Sequence, residues 1–537
     1  MTSGITSAQP VLDHGTQTQP SPDAYDVVVV GYGPVGRMLA LKLGRRGHRV
    51  LVVERQKTTY SLPRAVHVDD ETARILQSVG VGPADLPHLY EPYDDDYEWR
   101  AADGTTILRL SWSGAGPSGW NVANFIHQPS LEAAIHEKVA GLDSVTIMRD
   151  WEAVSHQQQD DGVVVELRNA EGTRAVVEGR YVIGADGANS VVRSWIGGGV
   201  TDLGYFHDWL VVDLIPHGTT AAEPQAWQHC DPARPTTLVP GGPGRRRFEF
   251  MRLPHETLEE LNDEATAWRL LKRWDITPQN ATLERHTVYT FQAQWCDEWR
   301  RGRLLLAGDA AHLMPPFMGQ GMCAGLRDVV NLEWKLHLVL AGKAGEELLD
   351  TYGPERAMHV RQFVEASMFL GEVICVTDPD EAEQRDRRMR AALETGIEPD
   401  RPMPRLGPGL YRDQEAAGLL SIQAMVRGHS GTGLLDDVTG GGGVLLLGDP
   451  RDAESLSQSR RDALAAVGIH VLELADEPGP GGIVDLNGDY RAWLGDAGAT
   501  TVLIRPDFYA YGAAAGAADV DALVDGFLGD LRGGVKD

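Results

Sequence analysis

Cysteine is scarce in this sequence, and its few cysteines are far apart. There are four, Cys230, Cys296, Cys323 and Cys375, and none belongs to a CxxC pair. Their spacing excludes the usual zinc and dithiol motifs, so we expect no metal site. It also fits a reducing compartment, and the expected location is the cytoplasm.

Long apolar runs and positive charge are also lacking. No run of ~18 consecutive apolar residues occurs, so the sequence predicts no transmembrane helix. The net charge of −28 argues against nucleic acid and anionic membranes as partners, because both need a basic surface. Residues 1–24 are polar and lack the basic and apolar parts of a signal peptide, which predicts a disordered tail.

A glycine-rich turn separates the first predicted strand from the first predicted helix. Gly31-Tyr-Gly33-Pro-Val-Gly36 follows the β-branched run 25–30 and precedes a helix expected over 34–46. In such a β-α-β unit the glycines allow a tight turn, the approach of a pyrophosphate and close helix packing. Glu54 ends the next strand, where its carboxylate can accept hydrogen bonds from a ribose. The motif predicts a dinucleotide site without distinguishing FAD from NAD.

Two later stretches make that distinction. Residues 181–193 read YVIGADGANSVVR and residues 303–312 read RLLLAGDAAH. Together with the glycine turn, and in this order, they resemble the Asp-Gly and Gly-Asp fingerprints of flavoprotein aromatic hydroxylases. The resemblance implies bound FAD, with Asp309 on its ribityl chain and with Asp186 and Arg193 organising the cofactor region.

The stretch PPFMGQGM, residues 315–322, precedes a helix predicted to run to about Leu340. Amides at the start of a helix suit the negative charge of a reduced flavin, and we assign Gly321 and Met322 to that role. The resemblance implies that Pro316 lies beside the reactive edge of the flavin. His312 is the histidine with the best claim to a catalytic position. The predicted cofactor site also includes Arg55, Gly308, Gly319 and Gln320.

Further stretches narrow the resemblance to the 3-(3-hydroxyphenyl)propionate hydroxylase branch, over roughly residues 25–537. They are 207–214, 228–237, 245–251 and 315–336, and the branch also implies that Arg64 and Gln128 lie near the cofactor. It suggests a phenol with a short acidic side chain. Arg245 and Arg247 would share one face of a strand and clamp that carboxylate. The alternative is that these arginines lie on the surface.

The expected fold is α/β. A doubly wound, Rossmann-like FAD domain over 25–395 is interleaved with a β-sheet substrate domain, roughly 97–130 and 200–300. A Pro- and Gly-rich linker, 396–443, then leads to a C-terminal unit, 444–537, that resembles the thioredoxin-like domain of phenol hydroxylases. That unit contains no cysteine, so we assign it to packing or to a homodimer contact.

The resemblance implies an FAD-dependent monooxygenase acting on a small aromatic substrate. NADH or NADPH would reduce the flavin, O2 would add to it, and a flavin hydroperoxide would pass one oxygen to a phenol, next to its hydroxyl. Three alternatives stay open: a tailoring hydroxylase for polyketide-type natural products, a Baeyer–Villiger oxygenase of the same fold, and a flavin-binding protein without catalysis.

Overall fold

The computed structural model describes residues 24–58, 64–218, 226–396 and 402–533. The predicted tail, residues 1–24, lies outside the described residues except for Ala24. In the described part the strands form two eight-stranded sheets, a seven-stranded sheet and a three-stranded sheet. The mixed α/β class predicted from the sequence is confirmed.

The first sheet is built on five parallel strands. Their order in space is Leu304–Leu306, Arg174–Gly184, Tyr25–Val30, Val50–Glu54 and Val145–Arg149. Antiparallel strands extend it at Arg300–Arg301, Val163–Asn169 and Trp151–Gln158. Four valines of the first strand, at positions 27–30, are buried, as expected where both faces of a parallel sheet are covered.

The second sheet is largely antiparallel and is centred on two long strands. Its order is His312–Leu313, Ala281–Cys296, Val200–Pro216, Arg246–Met251, Thr236–Pro240, Trp227–Cys230, Asp96–Ala101 and Thr106–Ser111. A small sheet of His67–Asp69, Ala123–Ile126 and Tyr90–Tyr93 lies apart from it in the hydrogen-bonding pattern. Because these strands come from between and after the strands of the first sheet, the two large sheets are interleaved in sequence.

The third large sheet contains the C-terminal strands. Its order is Gly431–Leu434, Met425–Gly428, Gly482–Asp485, Ile469–Leu474, Gly443–Leu447, Thr501–Ile504 and Ala510–Ala514. Its first two strands lie within the stretch predicted as a linker. They are short and contain several glycines, so their composition hides the hairpin. The likeness of this unit to thioredoxin stays a prediction.

Helices cover these sheets. The longest are Tyr352–Ile374 and Gly321–Leu340, and Gly321–Leu340 is buried along almost its whole length. The first helix, Pro34–Arg45, ends one residue before its predicted end. The other α-helices are Asp70–Gln77, Gln128–Ala140, Val191–Ile196, Leu258–Leu261, Glu264–Leu271, Pro379–Glu394, Leu435–Thr439, Pro450–Ser455, Gln458–Ala466, Asp489–Asp496 and Ala517–Gly533.

A buried ionic network joins the C-terminal unit to the long helices. Arg505 is fully buried and lies between Glu355, 2.7 Å away, and Asp507. Lys335 donates to the same Glu355 carboxylate at 2.7 Å. Burial lowers the pKa of Lys335 to about 8, although Glu355 opposes the shift. Buried charges persist only when they are paired, so this network ties the position of the C-terminal unit to that of the two long helices.

Candidate active site

A cavity of about 880 Å³ lies between the first and the second sheet. On the first-sheet side it is lined by residues that follow or end the parallel strands: Gly31, Gly33, Glu54, Asp186 and Asp309. On the other side it is lined by a mostly apolar and aromatic wall that includes Phe125, Val211, Val239, Phe291, Leu313 and Met314. The carboxyl ends of the parallel strands therefore face the cavity, where doubly wound sheets bind their ligands.

The space around each glycine of the turn shows whether a dinucleotide fits this cavity. A Cβ on Gly31, whose φ is +103°, would lie 2.3 Å from the carbonyl oxygen of Ala185, and a Cβ on Gly36 would lie 2.1 Å from that of Gly31. Both positions need glycine for the chain to pack. A Cβ on Gly33 would meet no atom within 4 Å, and its φ of −76° is ordinary. The open space above Gly33 is therefore what a pyrophosphate needs, and the turn fits FAD.

Glu54 is held at the cavity by the loops around it. One carboxylate oxygen accepts from the backbone amide of Tyr32 at 2.8 Å, and the other accepts from that of Gln56 at 2.7 Å. A carboxylate has about four acceptor positions, so two backbone amides leave capacity for a ribose diol. The side chain is thus fixed in place by the glycine turn itself.

Arg37 lies beneath the same turn and lines the cavity. Its Nε donates to the carbonyl oxygen of Tyr32 at 2.9 Å, and its guanidinium lies 3.1 Å from the carboxylate of Glu132. Burial lowers the pKa of Arg37, and Glu132 opposes that shift. Burial also raises the pKa of Tyr32 to about 12, so the phenol stays neutral. A fixed guanidinium near the glycine turn suits a phosphate ligand.

Asp309 projects into the cavity from a short 3-10 turn, Gly308–Ala310. Its enclosure raises its pKa. The turn is held by the buried Asp328, which accepts from the Gly308 amide at 2.9 Å, from His312 Nε2 at 2.8 Å and from Arg356 at 2.8 Å. Burial alone would raise the pKa of Asp328, but His312 and Arg356 outweigh it and keep that pKa below its ordinary value.

The helix Gly321–Leu340 begins at the cavity wall, where Gly321 and Met322 are lining residues. Its N-cap residue, Gln320, makes no side-chain cap, and its first turn contains no acidic residue. The positive end of the helix dipole is therefore left for a ligand. Just before it, Gly319 has a φ of +65°, and a Cβ there would lie 2.8 Å from the ring of His67.

Four buried charged residues form a cluster on the second-sheet side. Arg247 Nε donates to Asp213 at 2.7 Å, and a guanidinium nitrogen of Arg285 lies 2.8 Å from the same carboxylate. Glu249 is 3.8 Å from Arg247. Burial raises the pKa of Glu249, and Arg247 opposes that shift. We refer to Asp213, Arg247, Glu249 and Arg285 as the charge cluster.

Comparison with known proteins identifies the chain. The model of the FAD binding domain family matches residues 24–367, and that of the HcaD C-terminal domain matches residues 418–529. A probable NADH-specific resorcinol 4-hydroxylase from Rhodococcus jostii is 37% identical over 93% of this chain and 94% of its own length. A 3-(3-hydroxy-phenyl)propionate/3-hydroxycinnamic acid hydroxylase from a Mycobacterium strain is 35% identical, over 95% of this chain and 93% of its own.

The chain belongs to the class A flavoprotein aromatic monooxygenases. It is an FAD-dependent aromatic hydroxylase of the 3-hydroxyphenylpropionate and resorcinol hydroxylase type, so the alternative of a flavin-binding protein without catalysis is excluded. The crystal structure of the flavin-dependent monooxygenase PieE, with FAD and substrate, has the same fold. Its TM-score is 0.76 at 23% identity, over 95% of this chain and all of that one. Among the helices that the structure describes, none is both long and apolar enough to cross a membrane.

The monooxygenase fold brings most of the predicted cofactor residues to the cavity. Its lining includes Gly31, Gly33, Glu54, Arg55, Arg64, Gln128, Asp186, Asp309, Pro316, Gly319, Gly321 and Met322. Four predicted residues are absent from this lining: Gly36, Arg193, Gly308 and Gln320. Arg193 donates to the carbonyl oxygen of Ala310 at 3.0 Å, so it joins the loop after Asp186 to the turn that presents Asp309.

Gln128 and His312 form hydrogen bonds to protein groups that shape the cavity of the monooxygenase. Gln128 Oε1 accepts from the amides of Arg64, at 3.0 Å, and Ala65, at 2.6 Å, so it fixes the loop that reaches the cavity. His312 is buried behind Asp309, donates to Asp328, and is absent from the lining. This position suits a residue that holds the turn presenting Asp309, and the ring of His312 does not line the cavity.

The predicted arginine clamp does not form. Arg245 precedes the strand Arg246–Met251 and lies in a turn, with its Nε 3.1 Å from Glu284, away from the cavity lining. Arg247 does reach the cavity, but it is already paired with Asp213. The expectation that the two share a face was wrong because the strand begins after Arg245, so the two-residue alternation does not extend to it.

Three residues that shape the monooxygenase site were not predicted from the sequence: Arg37, Glu132 and Asp328. Arg37 and Glu132 are 95 residues apart and meet only in the folded chain. Asp328 carried a signal that could have been used. It is an acidic residue in a helix otherwise rich in apolar residues, and such a residue is buried only when it is paired.

Proposed function

We propose that this monooxygenase uses NADH and O2 to hydroxylate a small phenol next to its ring hydroxyl. The balanced reaction consumes a phenol, O2, NADH and a proton and releases a diphenol, NAD⁺ and water. The observation that carries the proposal is the cavity, which joins a dinucleotide turn at Gly33 to an aromatic-lined chamber at Phe291 and Phe125. The choice of NADH follows the name of the Rhodococcus relative.

The residues present fit FAD, and they would hold it along the first-sheet side. Gly33 leaves room for the pyrophosphate, Glu54 accepts from a ribose, and Asp309 accepts from the polyol chain. The start of the helix at Gly321 offers backbone amides to negative charge. When bound, FAD supplies the redox chemistry that activates O2.

The second-sheet side orients the phenol and keeps water away. Phe125, Phe291, Leu313 and Met314 give an apolar wall that excludes water from the reacting atoms. The reaction is electrophilic on the ring, so it requires a substrate whose hydroxyl donates electron density. Thr237 and Glu249 line this side and can accept a hydrogen bond from that hydroxyl.

The test uses the purified FAD-loaded protein with a panel of simple phenols. We expect NADH oxidation to be stimulated by a phenol and to be faster than NADPH oxidation, with a product heavier by one oxygen atom that derives from labelled O2. Catechol-type products, identified by mass spectrometry and NMR, would support attack beside the hydroxyl. A ring-expanded or ester product would replace the proposal with Baeyer–Villiger chemistry. Turnover only with polycyclic phenols would favour the tailoring alternative.

A further inference from the structure

The Glu249 carboxylate of the charge cluster accepts no hydrogen bond from the part of the chain that the structure describes. The guanidinium of Arg247 lies 3.8 Å from it, beyond hydrogen-bond distance. Glu249 is nevertheless only 6% exposed, and it lines the cavity. Buried carboxylates are normally hydrogen-bonded, so an open acceptor at the cavity wall indicates that a ligand supplies the donor.

Strand register places Glu249 on the cavity-facing side of the second sheet. It lies opposite Val211 on one neighbouring strand and opposite Thr237 on the other, and all three line the cavity. The other acidic residues of the described lining come from the first sheet and the helices and loops beside it: Glu54, Glu132, Glu152, Asp186 and Asp309. Glu249 is thus the carboxylate that faces a phenol bound against the second sheet.

Arg285, in the same cluster, has donors without an acceptor. It is buried and lines the cavity. One terminal nitrogen donates to the hydroxyl of Tyr289 at 3.1 Å, and the other lies 2.8 Å from the Asp213 carboxylate without hydrogen-bond geometry. Its Nε also has no acceptor among the described residues. Buried donors require an acceptor, and the oxygen of an ionised phenol is a strong one.

We propose that Glu249 is a catalytic base that accepts the proton of the phenol hydroxyl, and that Arg285 then donates to the ring oxygen. This role rests on the proposed function and assigns its proton transfer. As the O–H bond breaks, its electron pair enters the ring, and the adjacent carbon bonds to one oxygen atom of O2, whose other atom leaves as water. The attacked carbon then loses its hydrogen as a proton, and Glu249 returns its own proton to the ring oxygen.

The electrostatics of the cluster favour this exchange. Burial raises the pKa of Glu249, although Arg247 opposes the shift, and this brings its carboxyl group closer to a phenol in acidity. Asp213 and Arg285 also act on Glu249 through their charges. Transfer of the proton from the phenol to Glu249 moves one negative charge within the cluster without changing the total, so no further charge has to be buried.

Two other titratable groups of the lining are less suited to this role. His67 stacks on Trp112 with ring centroids 4.8 Å apart, and its Nδ1 lies toward the carbonyl oxygen of Gly319, next to the start of the long helix. Burial, and to a smaller degree the charge of Glu249, raises the pKa of Tyr97, so this side chain keeps its own proton.

The first experiment measures binding of 4-nitrophenol to the oxidised, FAD-loaded enzyme without NADH, by the change in flavin absorbance. This phenol is mostly ionised at pH 8 and above. If Glu249 and the bound phenol share one proton, the wild-type complex must take up a proton, and its Kd should rise about tenfold between pH 8 and pH 9. In Glu249→Gln the anion binds without a proton, so the Kd should change less than twofold.

The matched control is Glu284→Gln, which removes a carboxylate that pairs with Arg245 outside the cavity lining and should keep the wild-type rise. A wild-type Kd that is equal at both pH values would overturn the inference, and so would a tenfold rise that persists in Glu249→Gln. Should Glu249→Gln not retain FAD, the pH dependence of the wild-type Kd decides.

Turnover separates this inference from the proposed function. With resorcinol or another phenol that the wild type hydroxylates, Glu249→Gln should still oxidise NADH but form product about 100-fold more slowly, and it should release hydrogen peroxide instead. An unchanged yield of product per NADH in that variant would overturn the role of Glu249. Failure of the wild type to oxygenate any phenol of the panel would refute the proposed function, while the binding experiment, which needs no reaction, would still decide about Glu249.

Discussion

Substitution of Gly33 distinguishes an effect on FAD binding from an effect on the stability of the fold. A Cβ at this position meets no protein atom within 4 Å, and the φ of −76° suits alanine. Loss of a flexible glycine raises the free energy of unfolding and loss of a favoured N-cap residue lowers it, each by less than about 1 kcal/mol. We therefore expect the Gly33→Ala apoprotein to melt within a few degrees of the wild type.

The same methyl group would enter the space that the pyrophosphate needs. An extra methyl in a well-packed contact costs about 1–3 kcal/mol. That corresponds to a roughly 5- to 150-fold weaker Kd for FAD. Gly33→Val, with two more carbons, should lose FAD altogether during gel filtration. The Kd is measured by quenching of FAD fluorescence on the apoprotein, and occupancy by the ratio of flavin to protein absorbance.

Two matched glycines control this experiment. Gly529→Ala lies in the C-terminal helix with open space around its Cβ, so it should keep both FAD affinity and melting temperature. Gly36→Ala places a Cβ 2.1 Å from the carbonyl oxygen of Gly31, so it should lose stability as well as FAD. Wild-type affinity in Gly33→Ala would refute the placement of the pyrophosphate.

The remaining predictions concern the helix start, the domain contact and pH. Gly321→Pro removes an amide from the start of the helix, so the flavin potential should fall. Gly321→Ala, whose Cβ is 3.9 Å from its nearest neighbour, should keep the wild-type potential. Equal potentials in the two variants would contradict the role of the amide. Arg505→Met leaves the buried carboxylates of Glu355 and Asp507 without their main partner, so the free energy of unfolding should fall by about 3–5 kcal/mol and the melting temperature should fall with it. Its control is Arg460→Met, on the surface, which should leave the melting temperature unchanged. Burial raises the pKa of Glu249, which lines the cavity and faces Arg247, Asp213 and Arg285. As pH falls and Glu249 takes up a proton, kcat/KM for 3-(3-hydroxyphenyl)propionate relative to that for its primary amide should rise. A ratio independent of pH in the wild type, or one that still rises in Glu249→Gln, would contradict this prediction.

Much of the cofactor side followed from the sequence because its signals are local. The turn from Gly31 to Gly36, the strand that ends at Glu54 and the turn at Gly308 and Asp309 each lie within a short stretch of chain. Each has a fixed relation to its own strand or helix, so pattern and spacing suffice to place it. The same reasoning gave the interleaved α/β architecture.

The substrate side could not be predicted in this way because its groups meet across strands. Arg247 finds Asp213 and Arg285 only through the pairing of three strands that are far apart in sequence. Arg245 is excluded from the same face by the place where its strand begins.

The sequence alone thus predicted a dinucleotide site, since its glycines and acidic residues lie at the ends of strands within short stretches of chain, and the resemblance to flavoprotein aromatic hydroxylases implied that the dinucleotide is FAD. Only the tertiary structure decided that the arginine expected to bind a substrate acid is already paired. The physical reason is that the charge of a buried site is the sum over all the side chains brought together there, and that sum depends on strand register, which no single stretch of sequence contains.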